Sequence, residues 1–250
     1  MKILFWSNLF YPYVGGVETV GLQLVQWLSQ RHHDVLVLTS HDYLELPDHE
    51  HVAGVAVERL PMLAGLRGHV PSLLSSRARV QRLKAEFQPD LIHAFDLGAS
   101  LVYHLQTSAC APLLLTLQQR LFTHSPDSLS ARMLSQAAWV TAVSRSSLQE
   151  ARELVPEIVS RSSAIPNFAL APPDPIAPLP WPPRLLCFGR LVPQKGFDLA
   201  LRAMPAILER FPEARLLLAG DGAERSALEE LAQQLQLGSA VEFLGWIDPH

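Results

Sequence analysis

Two cations, Arg190 and Lys195, stand in the run Phe188-Gly189-Arg190-Leu191-Val192-Pro193-Gln194-Lys195-Gly196-Phe197-Asp198. The run joins an apolar strand to an amphipathic helix. Ligands of open α/β sheets bind at the carboxyl ends of the strands. Free N–H groups at a helix start, a helix dipole and two fixed positive charges together suit a diphosphate. On residue chemistry alone the pair could equally be two solvated charges on a turn. Gly15 and Gly16 sit between another strand and helix. Lacking side chains, they allow a ligand close to the backbone, although a tight turn would use them as well. Gly220-Asp221-Gly222 is a turn that needs no ligand by itself. His93 closes a short apolar strand, a place where a histidine is more often structural than catalytic. Gln118 can donate a hydrogen bond but cannot become cationic or relay a proton.

The elements that must position these residues alternate along the chain. Ile3–Ser7 and Asp34–Ser40 are apolar runs of strand length. Between them Val17, Val20, Leu24 and Leu28 recur at helical spacing. The product is a strand–glycine loop–helix–strand unit, right-handed by default. Further strands are expected at Val55–Arg59, Asp90–Ala94, Leu113–Leu117 and Trp139–Val143, with helices over 72–87, 97–106 and 128–138. Ser144 is placed to cap the helix that follows. The alternation predicts an α/β fold whose parallel sheet is covered on both faces.

Composition then breaks. Ala171–Pro183 holds seven prolines in thirteen residues, which excludes a helix or an interior strand and predicts a stiff, extended connector. Beyond it, strands are expected at Arg184–Gly189, Arg215–Ala219 and Val241–Leu244. One helix is expected over 196–210, with Ala200, Ala203, Met204, Ile207 and Phe211 on one face. A second is expected over 223–236, with Leu228, Leu231, Ala232 and Leu235 together. The expected domains are therefore 1–170, a linker at 171–183, and 184–250. Three strands are fewer than a Rossmann-type domain carries, so the second domain is expected to be incomplete. Its uncovered sheet is expected to drive aggregation or dimerisation.

The bulk numbers exclude some classes. A net charge of −4 with 18% charged residues gives no basic face for nucleic acid. The start of the chain does not read as a signal peptide, and no apolar run reaches the roughly 20 residues that span a bilayer. A cytoplasmic location is expected. Cys110 and Cys187 are in no metal-ligand spacing and are expected to be buried, reduced thiols. Residues 59–85 hold six basic residues (Arg59, Arg67, Arg77, Arg79, Arg82 and Lys84) and no acidic one. Interleaved with Leu and Val, they could lie on an anionic membrane or form a solvated helix face.

The segment FGRLVPQKGFDLALRAMPAI, followed by ARLLLAGDGAERSALEELAQQLQLGSAVEFLGWI, resembles the second domain of GT-B glycosyltransferases of the GT4 family. The run Phe10–Glu18 resembles that family's P-x-x-G-G-x-E loop. Pro89–Asp96 resembles its P-D-[VI]-I-H-x-H segment, with Phe95 at the second His position. Pro112–Gln119 resembles the segment that in the family ends on a histidine, where this chain has Gln118. Ile165-Pro166-Asn167-Phe168 resembles I-P-N-G, with Phe168 in place of Gly.

The resemblance implies two Rossmann-like domains and transfer of a sugar from a nucleotide-sugar donor to an acceptor hydroxyl, with retention and without a metal or other cofactor. It implies that Arg190 and Lys195 grip the donor diphosphate, that Gly15, Gly16, Gly220 and Gly222 line the donor site, and that His93 and Gln118 line the acceptor side. It implies a lipid-linked or polysaccharide acceptor, with peripheral membrane contact through 59–85. The family's E-x7-E element would fall beyond Gly245, which leaves a non-catalytic relative that binds a nucleotide or a protein partner as the alternative. A sugar-nucleotide epimerase is a further alternative, for which no motif is present.

Overall fold

The computed structural model describes residues 1–41, 44–121, 125–168 and 181–247. The chain forms two compact units, Met1–Leu170 and Ala171–His250. Residues 171–180, most of the proline-rich connector, lie outside the described residues.

The first unit runs β1 (Lys2–Trp6), α1 (Gly16–Gln30), β2 (Asp34–Ser40), β3 (His49–Val52), β4 (Val55–Leu60), α2 (Met62–Leu66) and α3 (Val70–Phe87). It continues through β5 (Leu91–Ala94), α4 (Val102–Leu105), β6 (Leu113–Leu117), α5 (Leu129–Gln136), β7 (Trp139–Ala142), α6 (Arg145–Leu154) and β8 (Ser162–Ala164). The strands form one sheet in the order β3-β4-β2-β1-β5-β6-β7-β8. Every pairing is parallel except that of β3 with β4. The antiparallel β3, the short α2 and β8 go beyond the sequence expectation. The expected helix over 97–106 is a 3-10 turn at Ala99–Leu101 that leads into one turn of α4.

Alternation along the strands sends side chains to both faces. Ile3 and Phe5 join Val35, Val37, Val55, Val57 and Val25 of α1 in one buried layer. Leu4 and Trp6 join Leu36, Leu38, Ile92, Leu115 and the residues of α3, α5 and α6 in the other. Apolar burial on both sides is what the continuous hydrophobic runs demand. The register pairs Trp6 with Ala94 and Ala94 with Leu115, so the loops that leave β1, β5 and β6 emerge side by side.

The second unit contains β9 (Arg184–Phe188), α7 (Phe197–Arg210), β10 (Arg215–Ala219), α8 (Arg225–Gln234) and β11 (Val241–Gly245). Its sheet, in the order β11-β10-β9, is parallel throughout. Phe197, Leu201 and Met204 of α7 pack with Leu228 and Ala232 of α8 over Leu216 and Leu218. Ala200 and Ile207 of the expected face also pack against this core with Met204, whereas Ala203 is exposed. On β9, Leu186 and Phe188 are exposed.

Two expectations are corrected. Cys110 is exposed and Cys187 half-buried, because Cys110 follows α4 in an exposed loop and β9 is an edge strand. The basic stretch is not a single solvated face. Arg59 and Lys84 are buried, Lys84 with its Nζ against His104 Nδ1 (3.2 Å), Thr107 Oγ1 (2.8 Å) and the Ser108 carbonyl (3.1 Å). Phe168, which stands where the resembled segment has glycine, takes no positive φ. No described helix is long and apolar enough to cross a membrane.

Candidate functional site

At the carboxyl edge of the first unit, three loops meet. The loop after β1 is tied to β2 by the Ser40 N–H, which donates to the Asn8 carbonyl (3.2 Å). It is tied to the turn after β5 by Ser100, whose Oγ donates to Asn8 Oδ1 (2.5 Å). A Cβ on Gly98 would fall 1.3 Å from Asn8 Nδ2, so a larger residue there would have to displace the Asn8 side chain. Gly15 caps α1 in an extended conformation, with no side chain bonded to the helix end. Helix geometry leaves the first N–H groups after it without an intrahelical partner. A Cβ on Gly16 would meet nothing within 4 Å, whereas one on Gly15 would press on the Glu18 carboxylate. Gly16 therefore fronts open space and Gly15 lies beneath Glu18.

Asp96 follows β5. Its Oδ1 accepts from the Leu97 N–H (2.7 Å) and its Oδ2 from Gln119 Nε2 (3.4 Å). Burial pushes its carboxyl up to about 6; the Leu97 N–H opposes this and the charge of Glu18 reinforces it. Asp96 stands in the β5 motif, yet sequence reasoning gave it no role. The available signal was a carboxylate at the carboxyl end of a parallel strand. Gln118 follows β6, with its Oε1 accepting from Asn167 Nδ2 (2.9 Å). Its Nε2 is buried with no partner, a donor with capacity for one acceptor oxygen.

His93 is placed differently from its neighbours. Its ring is 7% exposed and lies between Phe5 and Phe95, at centroid distances of 5.4 and 5.5 Å. Nε2 is bonded to Thr116 Oγ1 (2.8 Å), which is bonded in turn to Thr141 Oγ1 (2.8 Å). Burial lowers its pKa to about 4, so the ring is neutral at pH 7 and braces β5 against β6 and β7. These contacts link β5 to β6 and β7; the acceptor-side lining that the resemblance implies stays a proposal.

The second unit builds its loops from backbone. The Gly189 N–H donates to the Ala219 carbonyl (2.9 Å) and the Leu191 N–H to the Asp221 carbonyl (2.9 Å). The Glu224 N–H donates to Leu191, and the Gly220 N–H to Gly245. This interlock brings the chains so close that a Cβ on Gly220 would fall 1.9 Å from the Gly189 carbonyl oxygen. One on Gly222 would fall 2.4 Å from that of Leu191. Both glycines also have positive φ, 135° and 159°. Their packing accounts for them without a ligand; what they hold in place is the Gly189–Gly196 loop.

On that loop Arg190 and Lys195 are both exposed. Neither forms an ion pair or a side-chain hydrogen bond among the described residues. The Lys195 stem passes over Gly189, with Cε 3.9 Å from where a Cβ would stand, so both cations rise from the same turn. Gly196, at φ 65°, starts α7 with no side-chain cap. Two unpartnered cations beside an uncapped helix start form an anion-accepting surface. Among the described residues no group of three His, Cys, Asp or Glu side chains could hold a metal ion.

The chain is similar to known proteins over its full length. The profile of the family described as Glycosyltransferase Family 4 matches residues 14–169, and that described as Glycosyl transferases group 1 matches 178–250. One component of the human phosphatidylinositol N-acetylglucosaminyltransferase is 26% identical, over 97% of this chain and 52% of that protein. The Arabidopsis thaliana counterpart is 25% identical, over 100% and 58%. The chain thus spans about half the length of the curated relatives it matches. Among solved structures, a sucrose-phosphate synthase from Thermosynechococcus elongatus superposes with a TM-score of 0.72 at 22% identity, over 99% of this chain and 71% of that one. An Anabaena protein, HepE, solved in complex with UDP, gives 0.68 at 21%, over 99% and 70%. These likenesses establish the GT-B fold.

Gly222→Ala tests the interlock. It should destabilise the second unit by at least about 2 kcal/mol through forced positive φ and backbone overlap. Urea denaturation combined with amide exchange in β9–β11 measures the loss, while Gly16→Ala should leave both unchanged.

Proposed function

This chain belongs to glycosyltransferase family 4, and we propose that it takes part in the transfer of a hexosyl group from a nucleotide-sugar donor to an acceptor hydroxyl, with retention of configuration. The observation that carries this reading is the unpartnered Arg190–Lys195 pair at the start of α7. A nucleoside diphosphate gains negative charge as it leaves the sugar. Cations fixed at that point stabilise the transition state more than the ground state. Within the first unit, the open backbone at Gly16 and Gln118 Nε2, which lacks a partner, are assigned to oxygen atoms of a bound substrate. Asp96 is assigned to the acceptor hydroxyl, as a carboxylate can accept its hydrogen bond.

The acceptor is proposed to be lipid-linked. Leu66, Val70 and Leu74 are exposed large apolar residues on α2 and α3, with Arg67 and Arg77 exposed nearby. Apolar side chains flanked by basic ones suit an anionic lipid surface. Support also comes from the relatives, whose names join phosphatidylinositol to N-acetylglucosaminyl transfer.

Calorimetric titration with UDP, GDP and ADP tests the donor site. One diphosphate should bind at millimolar affinity or tighter, and Arg190→Ala and Lys195→Ala should each weaken it about tenfold, as loss of a charged hydrogen bond does. Absence of binding to a folded protein would sink the reading. Binding without release of diphosphate from the matching sugar nucleotide would favour a non-catalytic nucleotide binder, an outcome to which Gln118, unable to relay a proton, already leans.

The pH dependence of that release tests Asp96. Because its carboxyl titrates at about 6, the acceptor-binding carboxylate is present above that pH and lost below it. Turnover should rise through pH 6, whereas Asp96→Asn should be about tenfold slower or worse and lack the inflection. Flotation with phosphatidylglycerol vesicles tests the lipid surface: the wild type should float, and Leu74→Asp/Arg77→Glu should not. Equal recovery on phosphatidylcholine alone would argue against charge recognition.

A further inference from the structure

Arg59 lies near the end of β4, a strand of the sheet's α1-side layer, and is 0% exposed. Its Nη2 donates to the Tyr11 carbonyl (2.6 Å), in the loop between β1 and Gly15-Gly16. Its Nη1 is ion-paired with the carboxylate of Glu50 on β3 but, among the described residues, makes no hydrogen bond. The Nε–H has no partner. The Arg59 N–H donates to the Asp48 carbonyl (2.8 Å), which fixes the strand end from which the side chain departs.

A guanidinium taken wholly out of water costs several kcal/mol, and one carboxylate with one carbonyl does not offset that cost fully when an N–H is left unsatisfied. An apolar side chain of similar volume would serve the core as well or better. What it could not do is hold the Tyr11 carbonyl. Tyr11 lies four residues before Gly15. Within the loop the Tyr13 N–H donates to the Phe10 carbonyl (3.2 Å). The loop enters at Asn8, which is bonded to Ser40, and leaves at the start of α1. Arg59 supplies an anchor between these two ends, reaching across from the β3–β4 hairpin.

We propose that Arg59, neutralised by Glu50, is a positioning residue that clamps the Tyr11 carbonyl and so presents the Gly15–Gly16 backbone to the oxygens of a diphosphate-bearing ligand. The diphosphate part of this statement rests on the proposed donor-binding function; the clamp itself does not. Arginine suits the position because its planar guanidinium can lie in ion-pair contact with a carboxylate at one nitrogen while donating to a carbonyl from another, whereas lysine is a single point charge.

The test uses the full chain with Arg59→Met/Glu50→Leu, which removes both charges together, leaves no unpaired charge in the core and frees the Tyr11 carbonyl. Thermal melting, amide exchange read peptide by peptide, and UDP titration are compared with the wild type. The expected result is an unchanged or higher melting temperature, exchange of amides 10–17 at least about tenfold faster, unchanged protection in β1, β2 and β6, and UDP affinity about tenfold weaker. Wild-type exchange in 10–17 would overturn the clamp. Faster exchange spread through the whole first unit, with a lower melting temperature, would overturn it too, because Arg59 would then be a structural group. Faster local exchange with unaltered UDP affinity would overturn the link from clamp to ligand. If the wild type binds no UDP, the donor reading fails while the exchange comparison still decides the clamp. Arg59→Met alone, which leaves Glu50 unpaired, should show the same local exchange with a lower melting temperature; a stable single variant with a protected loop would count against the pairing.

Discussion

A parallel strand can hand its chain onward only from its carboxyl end, and this one-way rule organises everything else in the molecule. Strands that run together in register release their loops along a shared edge. In the first unit that edge collects the glycine loop after β1, Asp96 after β5 and Gln118 after β6, although three other strands and three helices intervene in sequence between β1 and β5. In the second unit it collects the Arg190–Lys195 loop after β9 and the Gly220–Gly222 turn after β10. Reactive groups meet because hydrogen bonds between strand backbones bring them together, and the side chains need only end up at the right strand terminus.

The two edges are stiffened by different means. In the second unit, backbone presses directly on backbone, and Gly220 and Gly222 are irreplaceable because carbonyl oxygens occupy the space of their missing side chains. In the first unit side chains do the bracing: Arg59 of β4 reaches the loop carbonyl of Tyr11, Ser100 in the turn after β5 holds Asn8, and Thr116 of β6 holds His93 of β5. Backbone contact fixes geometry whatever the pH. The side-chain scheme admits titration, since Asp96 changes charge at about 6 while His93 stays neutral down to about 4. Response to pH is thus concentrated at the first edge.

The fold was legible because burial on both faces forces continuous apolar runs, and DVLVLTS or PLLLTL cannot be mistaken for anything exposed. The elements that escaped notice lack that mark. β3 reads His-Glu-His-Val, polar in three of four positions because it is an edge strand, and β8 is only Ser-Ser-Ala. Arg190 and Lys195 were legible because their spacing belongs to a longer motif. Asp96 was not, because what sets it apart is its burial near Glu18, a relation between distant segments. The basic run at 59–85 misled for the same reason. Charge is visible in sequence, but whether a charge faces water depends on neighbours brought from elsewhere.

Even so, one of those cations carried a local clue. Ser76, Val80 and Lys84 fall four residues apart on α3, and all three are buried together with Leu83. A lysine in the apolar stripe of a helix must either reach water or find partners. Lys84 finds three, all on α4 or the loop after it, and burial lowers its pKa to about 8. Arg59 has no such mark, for it lies near the end of a strand whose alternation would accept either an inward or an outward side chain. The general difference is that a helix declares its buried face through several turns, whereas the last residues of a strand are assigned by what lies beyond them. At the carboxyl edge of a parallel sheet, where function concentrates, sequence pattern is therefore least able to say which polar residues contact the ligand and which hold the residues that do.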